Sequence, residues 1–305
     1  MEIFCAGSGG GRDGEVFLPF ERLCRRVASA DSFGILIPSP TFISLTKAKM
    51  KTIGIVPARM AASRFPGKPL YPIHGRPMLE HVMLRARMYQ GWDQLVLATC
   101  DREIEQFAND KGFPVIMTGA HHTRALDRVA EAAERLEGGV ADDDIVVCVQ
   151  GDEPMMRPDM MDAVVAPLRA DPSIPCTVLA MHITEEFIWR NPDTVKIIHN
   201  DAGEVLYTSR APVPYCKGSF TPAHLARRIY GIFAFRWKYL KAFSIHPETR
   251  LEQLEACDSN RILDMPFRQY IAPYPYVESF SVDSPQDIDL VERHMAADKY
   301  WALYK

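Results

Sequence analysis

No two of the seven cysteines stand in a CxxC pair or at the spacing of a zinc site, so neither a redox dithiol nor a structural zinc is written in the 305-residue chain. Cys100, Cys148 and Cys176 sit in or beside apolar runs and read as buried free thiols, which fits a reducing compartment. No apolar run reaches the roughly 18 residues that a transmembrane helix needs. The start, MEIFCAGSGGG, lacks the basic-then-apolar order of a signal peptide. The expectation is a cytoplasmic protein without membrane insertion. An excess of one charge is also missing. Lys and Arg number 35 against 39 Asp and Glu, a formal net charge of -4, which gives no support for nucleic-acid binding. Internal repeats are absent. An apolar fraction of 47% is ample for a core.

Residues 1–49 carry GSGGG, mixed charge, and the apolar stretch GILIPSPTFISL broken by two prolines. They show neither a helical nor a strand period. The expectation is an N-terminal extension, disordered or non-native, ahead of one catalytic domain over residues 50–305, with Met50 as the natural start.

From Lys51 onward, short β-branched runs alternate with helical periods. Thr52 to Val56, Leu95 to Ala98, Val115 to Met117 and Ile145 to Val149 read as buried strands. Between them, Met78–Leu79–Val82–Met83–Ala86 share one helix face after Pro77, with Gly91 as the stop. Asp101 is placed to cap a second helix, and Leu126, Val129, Ala130, Ala133 and Leu136 mark a third. Such a series predicts an α/β fold with a doubly wound, mostly parallel sheet. Val195–His199 and Val205–Ser209 flank the turn Asn200-Asp201-Ala202-Gly203 and predict a smaller inserted antiparallel lobe. Cys176–Met181 and Ile229–Phe235 read as strands, Leu251–Cys257 as helical, and Ser284-Pro285 as N-cap and first residue of a final helix.

Three loops carry the chemistry. The first strand stops at Pro57-Ala58, and the following loop holds Arg59, Ser63, Arg64, Gly67 and Lys68. Cations beyond the carboxyl end of a buried strand suit a nucleotide's phosphates, although a solvated basic loop has the same composition. The loop is neither a Walker A motif nor GxGxxG. Gln150-Gly151-Asp152-Glu153-Pro154 follows the buried strand that ends at Val149, so Asp152 opens onto the same crevice. A carboxylate facing a triphosphate is a natural Mg²⁺ ligand, and a tight turn would also tolerate this string. Val282-Asp283-Ser284-Pro285 offers a second carboxylate, for which helix capping is the plain alternative. The adjacent His121-His122 reads as a loop pair and not a metal site, since neighbours do not share a face of a helix or strand.

The string PARMAASRFPGKPL at residues 57–70 resembles the signature PARxxSxRxPGKPL of the sugar-nucleotide cytidylyltransferases, most nearly that of the CMP-Kdo synthetase family. VQGDEP and VDSPQD resemble that family's second and third signatures. The likeness runs over roughly residues 51–298. It implies a GT-A-like nucleotidyltransferase fold, CTP and a sugar acid as substrates, pyrophosphate as product, and Mg²⁺ held by Asp152 and Asp283. It further implies a homodimer that feeds a glycan such as the inner core of lipopolysaccharide. Arg59, Lys68, Asp152 and Asp283 take the catalytic roles. Pro57, Ala58, Arg59, Arg64, Lys68, Arg128 and Gln150 face the nucleotide, while Gln150, Arg210, Phe233 and Asp258 face the sugar, with Arg210 in SRAPVP suited to its carboxylate.

The departures concentrate on the sugar side. The HxSGTxR string becomes His122-Thr123-Arg124-Ala125-Leu126-Asp127-Arg128. The sugar-facing His and Tyr of HLGIYGY become Ile229 and Phe233, and the Glu-Gln pair of ExLEQLR falls on Asp258 and Ser259, with Arg261 kept. These changes favour a Kdo-like sugar over plain Kdo. The alternatives are another nonulosonic acid, or a nucleotide-binding relative without turnover. A chain beginning at Met50 is expected to melt and turn over like the full chain, as read by calorimetry and pyrophosphate release. A large fall in melting temperature would show that residues 1–49 pack on the domain.

Overall fold

The computed structural model describes residues 49–61 and 64–305. The expectations for residues 1–48, and for Ser63 in the loop, lie outside them. The strands are β1 (Thr52–Pro57), the two-residue β2 (Pro72–Ile73) and β3 (Arg76–Pro77), β4 (Gln94–Thr99), β5 (Val115–Met117), β6 (Ile145–Val149), β7 (Cys176–His182), β8 (Lys196–His199), β9 (Val205–Ser209), β10 (Arg227–Arg236) and β11 (Gln269–Tyr274). The helices are α1 (Met78–Arg87), α2 (Arg102–Asp110), α3 (Ala125–Glu134), α4 (Pro158–Ala170), α5 (Glu186–Arg190), α6 (Trp237–Ile245), α7 (Arg250–Glu255) and α8 (Asp287–Met295).

The main sheet runs β11-β7-β10-β6-β1-β4-β5. Every pairing in it is parallel except those of β10, which lies antiparallel between β6 and β7. β8 pairs with β9 and with the start of β10, forming the smaller antiparallel lobe.

Strand alternation divides the core. Ile145, Val147 and Val149 face a cluster completed by Leu79, Val82 and Met83 of α1, Ile104 of α2 and Val164 and Leu168 of α4. Val146 and Cys148 face the other side, with Leu126 and Val129 of α3 and Leu240 and Phe243 of α6. With helices on both faces, a continuous apolar run is the only sequence that suits β6, and all its residues are buried.

The structure differs from the sequence expectations at several ends. α1 stops at Arg87, short of Gly91. Asp101 precedes α2 but makes no side-chain cap; its carboxylate accepts the Met60 N–H at 2.7 Å instead. The final helix begins at Asp287, because the Asp287 carboxylate takes the N–H groups of Asp283 and Ser284 and the Ser284 hydroxyl, which holds that segment as a turn. α4 and β11 went unread, and Pro167 inside α4 explains the first. Among the described residues, no helix is long and apolar enough to cross a membrane.

One buried ionic cluster ties α3 to α7. Arg261, 1% exposed, donates to Glu252 at 2.8 and 2.7 Å and to Asp127 at 2.9 Å. Arg261→Met leaves the fully buried Glu252 without its two hydrogen bonds to a cation, only the looser Arg124 remaining nearby, so a loss of about 3–5 kcal/mol is expected in a denaturant melt. A loss under about 1 kcal/mol would mean that Glu252 finds another partner.

Candidate active site

Parallel pairing of Ile53 with Val146 and of Ile55 with Cys148 sets the carboxyl ends of β1 and β6 side by side. The loops after both strands therefore line one crevice, which also receives Asp283. The approach is close. A Cβ on Gly151 would stand 2.5 Å from the Pro57 carbonyl oxygen, and backbone cannot yield cheaply, so only glycine fits there. Gly67 sits at φ 77 and donates to Met60 O at 3.0 Å, closing the loop that aims Lys68 inward.

Lys68 Nζ lies 2.9 Å from Asp152 Oδ2 and 2.6 Å from the Val282 carbonyl oxygen. Arg64 pairs with Asp283 at 2.8 Å and, more loosely, with Asp193 of the turn after α5 at 3.3 Å. Burial pushes the Asp283 carboxyl up, the Asp152 charge adds to this, and Arg64 and Lys68 oppose it. Two carboxylates thus stand close enough to repel each other, with cations between them. Glu153, next in sequence, is pushed up to about 7 by burial and by Asp152, and accepts from Ser281 Oγ at 2.5 Å. Among the described residues Arg59 has no hydrogen-bond or ion-pair partner, and it lines the crevice exposed. Its guanidinium is open to an anion.

Pro57, Ala58, Arg59, Arg64, Lys68, Arg128, Gln150, Asp152 and Asp283 meet in this crevice. Arg128 is buried, and its guanidinium holds Thr118 Oγ1 at 2.5 Å and Gly119 O at 3.3 Å. Gln150 lies over Gly231, where a Cβ would stand 2.4 Å from the Gln150 Cγ.

The other sugar-side assignments do not reach the crevice wall. Phe233 is 4% exposed and packs in the cluster under α3 and α6, because its place in β10 turns it to the helix-covered face. Ile229 packs against the same cluster. The Arg210 guanidinium donates to three carbonyls, Glu255 O at 2.8 Å, Pro192 O at 2.9 Å and Ala256 O at 3.2 Å, and so staples the lobe to α7. Asp258 faces Arg124 Nε at 3.8 Å. Glu252 is buried against Arg261, and Gln253 is exposed. Ala62, not Ser63, stands at the serine position of the first signature.

Arg124 was missed as a lining residue. It stands at the first position of the replaced Ser-Gly-Thr tripeptide, which is the signal that marked it. Its Nε approaches Glu248 at 3.4 Å and Glu252 at 3.9 Å.

A family model described as cytidylyltransferase matches residues 53–266. The chain belongs to the cytidylyltransferase family. A 3-deoxy-manno-octulosonate cytidylyltransferase of Nitratidesulfovibrio vulgaris (strain DP4) is 44% identical over 240 residues, covering 78% of this chain and 93% of the relative. An 8-amino-3,8-dideoxy-manno-octulosonate cytidylyltransferase of Shewanella halifaxensis is 34% identical, covering 80% and 98%. The solved CMP:2-keto-3-deoxy-manno-octonic acid synthetase in complex with CTP superposes with TM-score 0.71 at 34% identity, covering 81% of this chain and 98% of that one. This cytidylyltransferase is therefore an enzyme of the nucleotidyltransferase type, and the crevice is its candidate active site.

The acidic cluster beside the crevice carries a pH signature. Asp258 is pushed up to about 6 by burial; Arg124 opposes this, Glu252 adds to it, Arg261 opposes it and Asp127 adds to it. A raised carboxyl favours folding below its unfolded value of 3.8, and that contribution is lost as the pH rises through about 6. Asp258→Asn is thus expected to raise the melting temperature at pH 8 and to bring little gain at pH 4. An equal gain at both pH values would exclude ionisation of Asp258 as the cause.

Proposed function

We propose that the chain activates a Kdo-like 3-deoxy-ulosonic acid with CTP, giving the CMP-sugar and pyrophosphate. The observation that carries this reading is the pairing of Arg64 with Asp283 and of Lys68 with Asp152 in one crevice that the unpaired Arg59 also lines. The names of the relatives and the CTP-bound neighbour support the substrates. A nucleotide binder without turnover would have no need to crowd two carboxylates together, since their repulsion costs stability.

In the reaction, an oxygen of the sugar's anomeric hydroxyl bonds to the α-phosphorus of CTP. The bond from that phosphorus to the bridging oxygen breaks, pyrophosphate leaves with the electron pair, and the hydroxyl proton passes to solvent. Both reactants are anionic, so positioning and charge neutralisation are the main requirements. Arg59, unpaired, receives the triphosphate. Arg64 is exposed and held by Asp193 and Asp283, so it can exchange a carboxylate for a phosphate oxygen at little cost. Lys68 holds Asp152 in place. Gln150 offers an amide to ribose or sugar.

The donor set suits Mg²⁺: Asp152 and Asp283 are carboxylates of separate loops, mutually repelling, and beside the phosphate-binding cations. When bound, Mg²⁺ would supply neutralisation of charge on the phosphate oxygens and a lowered pKa for the attacking hydroxyl. The same reading takes the protein as a cytoplasmic homodimer that feeds lipopolysaccharide synthesis. As for the sugar, Phe233 gives no argument against Kdo, since it packs in the core, and Ile229 lies half-buried against the same cluster.

The test is pyrophosphate release with Mg²⁺ over four nucleoside triphosphates and a panel of sugar acids that includes Kdo and its 8-amino analogue. CTP with one of these acids is expected to exceed every other pairing. Asp152→Asn and Asp283→Asn should each lower kcat by roughly 10²–10³ with the fold intact. Near-full turnover of either variant at saturating Mg²⁺ would remove that residue from the ligand set, and turnover with no sugar acid would overturn the reading.

A further inference from the structure

His121 and His122 follow β5 in the loop that leads to α3, and the chain turns at Ala120–His121. That turn defeats the usual divergence of neighbouring side chains. The two imidazole rings lie 4.1 Å apart, and both reach Glu131, one and a half turns into α3. One ligand atom from each of His121, His122 and Glu131 lies within 4.8 Å of the others.

The cluster is built. A Cβ on Gly119 would stand 2.4 Å from His121 Nδ1, so glycine there lets the ring lie flat on the backbone beside the carboxylate. The Gly119 N–H donates to Glu131 Oε2 at 2.9 Å, and Arg135 holds Glu131 Oε1. The His122 Nε2 touches Glu131 Oε2. Burial pushes the Glu131 carboxyl up, but the Gly119 N–H, His122 and Arg135 more than offset this and hold it below the usual carboxylate range. The carboxylate is therefore anionic and fixed in direction, with its hydrogen-bond partners acting as outer support for a ligand.

We propose that His121, His122 and Glu131 bind one divalent transition-metal ion of the zinc class at the rim of the crevice. Two imidazoles and a carboxylate suit zinc, cobalt, nickel or iron and not Mg²⁺, which prefers oxygen alone. Three donors at about 2.1 Å from one ion stand roughly 3.4 Å apart, so the exposed His121 must turn inward and the direct His122–Glu131 contact must open to admit the ion. Solvent supplies the remaining positions. The loop between Gly119 and α3 also bears Thr123 and Arg124, so an ion at its base would stiffen one wall of the crevice. The site is separate from the Asp152–Asp283 pair and does not rest on the proposed reaction.

The probes are Zn²⁺ by calorimetric titration and Co²⁺ by its visible absorption, on the full chain in excess Mg²⁺. Excess Mg²⁺ fills the oxygen-only pair, and an Asp283→Asn chain, run in parallel, should bind Zn²⁺ unchanged. One ion per chain is expected, with His121→Ala and Glu131→Gln each weakening it by at least roughly tenfold. His121 is exposed, so His121→Ala is expected to keep its melting temperature and turnover, and it carries the test if Glu131→Gln fails to fold. No uptake by the unsubstituted chain, or equal uptake after His121→Ala, would overturn the proposal and leave the His122–Glu131 contact as a hydrogen bond only.

Discussion

Lys68 is one point charge that fastens three distant segments. Its ammonium reaches Asp152, 84 residues away, and the Val282 carbonyl, 214 residues away, with its side chain 12% exposed. Each partner brings a loop with it. Asp152 carries the turn after β6, and Val282 carries the irregular segment that leads through Asp283 to α8. Val282 N–H donates in turn to Asp152 O at 3.0 Å, so the two acidic loops are joined by backbone as well. Without a cation at that point, two carboxylates in a half-buried crevice would push the loops apart. Desolvation makes the repulsion stronger than it would be in water, and the same low polarity makes the Lys68 bond more effective.

Cations are divided between duty and availability. Lys68, Arg128, Arg210, Arg236 and Arg261 are committed to partners inside the protein, largely to carbonyl oxygens or buried carboxylates. Arg59 is uncommitted, and Arg64 is held only by the exposed Asp193 and the half-buried Asp283. A crevice that must receive a highly charged anion needs both kinds. The committed cations set the shape before binding, and the others respond to the ligand. Lys196 shows how far the first kind goes: it is fully buried, gives its three donors to Asn191, Thr194 and Arg210 carbonyls, and burial brings it down to about 8. Through Arg210 and the turn before Asp193, it fixes the base of the lobe.

The parts that were legible were local. The runs Thr52–Val56 and Ile145–Val149 could only be buried strands, and the loops after them carried charges with a recognisable spacing. Arg210 and Phe233 lie away from the crevice wall, and a motif names a residue but not the direction of its side chain. Phe233 is one of a string of apolar residues in β10 that are buried on both faces, so no polar alternation marked which face met the crevice. Arg210 looked like a free guanidinium until the turns at Pro192 and Ala256 were folded against it. Glu252 meets Arg261 in a buried bond, whereas Asp258 faces Arg124, a division of roles that a short helical string does not record.

The sequence alone determined the α/β alternation, the strand ends that carry Arg59, Lys68 and Asp152, and the family likeness, because each depends on neighbours within a few residues. Tertiary structure decided the rest. β10 runs against its neighbours, which apolar content cannot encode, since a strand buried on both faces reads the same in either direction. The pairing of Arg64 with Asp283 and of Lys68 with Asp152, and the stapling of Arg210, arise from loops closed across the sheet. Contacts of that kind depend on angles and depths that no local spacing records.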